Sequence, residues 1–244
     1  MANWQDPQMT GLDTARVGVP TVARDAGLRS YMLKVYNYMA SGVLLTGIVA
    51  MLFANSGYAA QIMLGGGILP WVIILSPLAI VFAMSFGANR MSAATLQMLF
   101  WAFAGLMGLS MSTVFLVYTG TSIAQTFFAV TAAFAGLSLY GYTTKRDLSV
   151  FGTFLIMGVV GLLVAMLLNS FVFKSTGMAM AISAIGVLIF AGLTAYDTQR
   201  IKSIYLQVQG SEMVGKTAIL GALSLYLDFI NMFQFLLMFM GDRR

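Results

Sequence analysis

The chain contains neither cysteine nor histidine. Without cysteine there is no disulfide, no thiolate metal site and no thiol nucleophile. Without histidine the usual near-neutral titrating side chain and the commonest transition-metal ligand are missing, so any response to pH must come from carboxylates in unusual surroundings. Charge is scarce as well: 9% of the 244 residues are charged and 59% are hydrophobic, where a soluble domain carries about 25% charged side chains. A water-facing surface cannot be built from this composition.

What is present is a series of long apolar runs, at roughly 31–53, 70–88, 93–118, 122–142, 149–172, 176–205 and 217–240. Each is long enough for the ~20 residues that cross a hydrocarbon core. No ten-residue alternation points to a barrel, and a spanning segment must satisfy its own backbone, so the expected fold is an all-α membrane protein of about seven transmembrane helices. Residues 1–29, with Pro7, Pro20 and six charges, read as a polar cytoplasmic tail rather than a signal peptide, ahead of a seven-helix domain over 30–244. Gly65-Gly66-Gly67 reads as a loop. Small residues four apart, such as Ala104 with Gly108 and Ala191 with Ala195, read as ordinary helix packing.

The net charge of +5 records topology rather than an affinity for nucleic acid. Assigning Lys and Arg to alternating sides puts Arg16, Arg24, Arg29, Lys34, Arg90, Lys145, Arg146, Arg200, Lys202 and Lys216 on one side and Lys174, Arg243 and Arg244 on the other. The N-terminus is then cytoplasmic. The C-terminus falls outside although it ends Asp242-Arg243-Arg244, which keeps open a re-entrant last segment.

Of the eight acidic residues only Asp197 and Asp228 lie inside apolar runs. Each costs ~2.5–3.5 kcal/mol on insertion scales unless it is paired, protonated or facing water. Asp197 precedes Glu212 by 15 residues and Asp228 follows it by 16. If the last two spans form a hairpin about that point, the two carboxylates sit at matched depth. They are then expected to share a proton and titrate as one unit. Fully charged, they offer up to four hard oxygen ligands, enough for weak, transient Ca²⁺ but short of its usual 6–8. Ser224 and Asn231 share the face of Asp228 and are candidate supports. The plain alternative is that Asp197 pairs with Arg200, three residues on, as helix ion pairs commonly do.

Three strings carry a resemblance: AYDTQRIK at 195–202, SLYLDFINMF at 224–233 and LRSYMLKVYNYM at 28–39. They resemble the Bax inhibitor-1 family, the transmembrane Bax-inhibitor-motif proteins, in its bacterial YccA-like branch. The resemblance covers all seven spans. It implies six helices around a central seventh, a location in the bacterial inner membrane, and a pH-sensitive Ca²⁺ leak controlled by two aspartates, here Asp197 and Asp228. It also implies that the family's span-two arginine, a latch to the aspartates, corresponds to Arg90. Many relatives carry a basic residue late in the last span, where this chain has Met238, so a second latch is not expected here. The YccA branch further implies a membrane protease or quality-control partner for the N-terminal tail.

Catalysis is not expected. An intramembrane aspartyl protease needs one protonated and one ionised carboxylate, and the glycine-rich aspartate motif of such enzymes is missing around Asp228. A retinal protein needs a lysine in the last span, and 217–240 has none. No resident cofactor is expected.

Overall fold

A computed structural model describes residues 21–244. The expected protease-binding tail therefore lies mostly outside the described residues. Within them the chain forms α1 (Thr21–Asn55), α2 (Tyr58–Leu64), α3 (Leu69–Gly87), α4 (Ala93–Val117), α5 (Gly120–Thr143), α6 (Ser149–Leu168), α7 (Thr176–Val208) and α8 (Met213–Met240). All but α2 are long and apolar enough to cross a membrane. At the end of α6 a π-helical turn, Asn169–Phe173, leads to Lys174 at φ 48°. The Asn169 side chain closes that turn by bonding both backbone groups of Ser175.

Two features depart from the expected segments. The seven residues of α2 fall in the stretch before the triple glycine, too short for a hydropathy signal. In addition, α1 begins at Thr21, inside what reads as tail. The reason is a stripe at helical spacing, Leu28, Tyr31, Met32 and Val35, all buried. Tyr31 packs its ring at 5.0 Å, tilted, against Tyr205 near the end of α7. With 33 residues, α7 rises about 50 Å, so α1 and α7 continue packing beyond the hydrocarbon.

The core is organised on α8, which is the most buried of the spans. It packs chiefly on α1, α4, α5 and α7, while α3 lies outside α4 and α6 lies outside α7. The expected central seventh helix is thus present, with α3 and α6 as an outer layer. Small residues set the closest approaches. A side chain at Gly108 would meet Thr46 and Val49 of α1, and one at Gly141 of α5 would strike the backbone of Ala195. The small pairs noted in the sequence therefore serve contacts within one chain.

The last helix crosses completely, which removes the re-entrant alternative. It starts beside the first turn of α4, where a Cβ on Gly215 would lie 3.7 Å from that of Ala93. It finishes at the other end of α4: the Thr119 amide donates to the Asp242 carbonyl at 3.0 Å and the Arg244 amide to the Val117 carbonyl at 2.9 Å. Arg243 lies over the Tyr118 ring. The charged C-terminus is therefore tied to the α4–α5 turn, opposite the end that carries Arg90, Lys145, Arg146 and Lys216.

Two outcomes follow. Gly141→Leu should destabilise the protein by about 1–3 kcal/mol through overpacking, seen as a lower unfolding midpoint in detergent. Gly136→Leu, where added atoms meet nothing, should leave it unchanged. In this cysteine-free chain, Lys145→Cys and Arg244→Cys should label from opposite faces of a sealed vesicle; labelling from one face would contradict the crossing of α8.

Candidate functional site

The AYDTQRIK string on α7 is mostly a knot of packing and hydrogen bonds. Ala195 abuts Gly141 of α5, and the Tyr196 ring occupies the space that a side chain on Gly152 of α6 would need. The Gln199 side chain clasps the α5–α6 loop, accepting from the Leu148 amide at 2.9 Å and donating to the Arg146 carbonyl at 2.8 Å. Lys202 donates to the Tyr142 carbonyl at 2.9 Å in the last turn of α5 and lies over the Tyr142 ring, a favourable place for a cation. In the same loop Asp147 is exposed, and the Ser149 hydroxyl and amide hold its carboxyl below the ordinary range. Thr198, fully buried, meets the Ser138 hydroxyl at 2.9 Å, which in turn meets Tyr36 at 2.6 Å. This chain of hydroxyls links α7, α5 and α1.

Against that background Asp197 stands apart. It is half-buried and faces a cavity of about 530 Å³ between α6, α7 and α8. Arg200, one turn on, lines the same cavity and is the positive charge that bears on it.

The SLYLDFINMF string is divided between two faces of α8. One face is locked into the core: Tyr226 is fully buried and meets the Thr46 hydroxyl at 2.6 Å, while Thr46 also donates to the Ala104 carbonyl at 2.8 Å. Phe229 makes edge contacts with Phe127 and Phe134 of α5. The other face, Ser224, Asp228, Asn231 and Gln234, lines the α6–α8 cavity together with Asp197. Asn231 donates its amide to the Leu227 carbonyl at 2.8 Å, which leaves its side-chain oxygen as an acceptor. Gln234 donates to the Met111 sulfur at 2.8 Å.

Asp228 is 4% exposed, and its Oδ2 has no hydrogen-bond partner among the described residues. A buried oxygen left in this way costs about 1–3 kcal/mol, and more if charged. Packing gives no reason to retain it. The two carboxylates lie within electrostatic reach of one another, as the hairpin argument anticipated, although the hinge is not where that argument put it. The loop is 209–212, with Gly210 at φ +81°. Asp197 lies 11 residues before the end of α7 and Asp228 lies 15 after the start of α8. Counted from those ends, the two positions differ by about 6 Å along the helices, and both residues line the one cavity.

Arg90 does not join them. It is exposed in the turn after α3, an outer helix packed on α4, and does not line the cavity. Among the described residues the cation that does is Arg200. Met238, the position at which no second latch was expected, lines the same cavity. Among the described residues no three acidic side chains converge as a metal cage. The oxygens that face the cavity are nevertheless all hard donors: two carboxylates, two amides and a hydroxyl. Gln234 and the Tyr36–Ser138–Thr198 chain went unnoticed in the sequence. Gln234 continues the spacing of Ser224 and Asn231 and could have been found that way. The hydroxyl chain joins residues 102 and 60 apart and leaves no local signal.

The fold and site define a multi-pass helical membrane protein with carboxylates retained in a cavity at the centre of its last hairpin. Residues 28–244 match the family model described as inhibitor of apoptosis-promoting Bax1, and the chain belongs to this Bax inhibitor-1 family. It is 47% identical over 220 residues to uncharacterized protein RP147 of Rickettsia prowazekii, covering 90% of this chain and 92% of that one. It is 44% identical over 221 residues to the inner membrane protein YbhL of Escherichia coli, covering 90% and 94%. A Lactococcus lactis protein, YrjE, is 40% identical over 220 residues, covering 89% and 93%. These relatives are bacterial, like the branch that the strings resemble.

If Asp228 is kept for function at a cost to stability, Asp228→Leu should unfold at a higher temperature in detergent than the parent, the sign expected from the ~2.5–3.5 kcal/mol insertion cost of an intramembrane aspartate. A fall of several degrees would mean that the carboxylate is a structural acceptor.

Proposed function

We propose that this protein is a passive, proton-sensitive cation leak, with Ca²⁺ the cation best suited to it, and that Asp197 and Asp228 form its binding and sensing unit. The observation that carries the reading is the buried Oδ2 of Asp228, without a hydrogen-bond partner among the described residues, on a cavity that Asp197 shares. A buried polar atom without a protein partner is satisfied by something that visits: water, a proton or a cation.

Two carboxylates in one low-dielectric cavity compete for one proton, and Ca²⁺ competes with that proton for the same oxygens. With the pair charged, Asn231, Gln234, Ser224 and water complete a weak oxygen shell, which suits passage better than storage. With a proton bound, the attraction for the cation drops. Arg200 rather than Arg90 is the cation placed to offset the pair between ions. The reading includes no catalytic step. It puts the protein in the inner membrane, as the name of the Escherichia coli relative has it for that protein, with the basic end cytoplasmic by the positive-inside rule.

The test is Ca²⁺ flux into liposomes holding the purified protein, measured across a pH series. Flux should rise with pH, and raising Ca²⁺ should shift the profile to lower pH. Asp197→Asn with Asp228→Asn should remove both the flux and its pH response, while Arg90→Gln should leave the profile in place. Flux indifferent to pH and to the double substitution would end the proposal.

A further inference from the structure

A second cavity, larger than the first, lies on the other side of the α7–α8 pair. It is a furrow of about 810 Å³ between α1 and α5 with Phe229 of α8 at its base. On α1 its lining runs from Arg29 to Met51, about 33 Å along the helix axis, which is the depth of a bilayer core. Its walls are almost wholly apolar. Leu44, Ile48 and Leu139 of that lining are each at least 40% exposed, so the furrow opens toward the lipid. A transmembrane helix is about 10–12 Å across and would sit on this furrow rather than in it. About 810 Å³ spread over that length leaves a section of roughly 25 Å², the room of a single extended chain.

The charge at the ends is not symmetrical. Among the described residues Arg29, at the basic end, is the charged residue of the lining, and no acidic side chain lines the furrow. Lys202, nearby on α7, has its ammonium engaged by the Tyr142 carbonyl and ring, whereas Arg29 is exposed. Toward the end away from Arg29, Gly47 lines the furrow and a Cβ added there would meet nothing within 4 Å. A glycine inside a helix is unfavourable relative to alanine, and here no close packing against another helix requires it.

We infer that this furrow is a binding site for an anionic phospholipid, with one acyl chain along α1 against Phe134 and Phe229 and the phosphate headgroup on Arg29. The site differs from the carboxylate cavity in its walls and its ligand. It also touches Tyr36 and Ser138, the outer members of the hydroxyl chain that ends on Thr198, next to Asp197. A bound lipid therefore props α1 and α5 at the spacing that this chain needs.

The experiment is native mass spectrometry of the full-length protein released from nanodiscs of equal phosphatidylglycerol and phosphatidylethanolamine. The parent should retain one phosphatidylglycerol. Gly47→Trp, which fills the furrow, should reduce the bound fraction at least tenfold. Gly161→Trp, also in open space but on α6, should not. Arg29→Gln should keep a bound lipid but lose the preference for phosphatidylglycerol. Equal lipid retention by the parent and Gly47→Trp, or a parent without headgroup preference, would reduce the furrow to ordinary annulus and overturn the inference. A parent dimer that Gly47→Trp dissociates would assign the furrow to a second copy and overturn it equally.

Discussion

The structure depends on burying α8. A helix at the centre of a membrane bundle has no water on any side, so each polar group it carries must be bonded within the protein or open into a cavity. Tyr226 takes the first course, through Thr46. Asn231 and Gln234 take it in part, through the Leu227 carbonyl and the Met111 sulfur. Asp228 takes the second, with an oxygen that no described residue satisfies. The surrounding helices are arranged to allow this. On the core side α1, α4 and α5 close on α8, whereas α6 is applied to α7 and leaves the space in which the carboxylates lie.

The division of labour within the two signature strings follows from the same constraint. In AYDTQRIK, Ala195, Tyr196, Thr198, Gln199 and Lys202 fix α5, α6 and their loop onto α7, and only Asp197 and Arg200 face the cavity. In SLYLDFINMF, Leu225, Tyr226 and Phe229 hold α8 in the core while Ser224, Asp228 and Asn231 face outward. Each string is thus a scaffold with one cavity-facing carboxylate in it. The hold on α7 and α8 sets where the carboxylates are, so substitutions in the scaffold residues should disturb the site without touching it.

Seven spans could be read from the sequence because a run of 20 apolar residues has few other uses. The seven residues of α2 could not, and neither could the start of α1, where the stripe of Leu28, Tyr31 and Met32 is masked by Arg29 and Lys34. The aspartates were legible because a carboxylate in an apolar run is costly. The centre of their hairpin was legible to within a residue or two, because Glu212 marks the loop by charge and Gly210 marks it by conformation. Arg90 misled because an arginine at the end of a span can latch a site or simply mark the membrane surface, and only the packing of α3 on α4, away from α7 and α8, separates the two.

On the proposed reading Asp228 carries an exchangeable proton that Ca²⁺ displaces, and is not an inert acid locked in the core. Infrared difference spectroscopy of the protein in lipid, recorded on adding Ca²⁺, tests it most directly. The account predicts loss of a protonated-carboxyl band as Ca²⁺ binds, with the band and the change both absent in Asp228→Asn. A protonated-carboxyl signal that persists unchanged at saturating Ca²⁺ would contradict it.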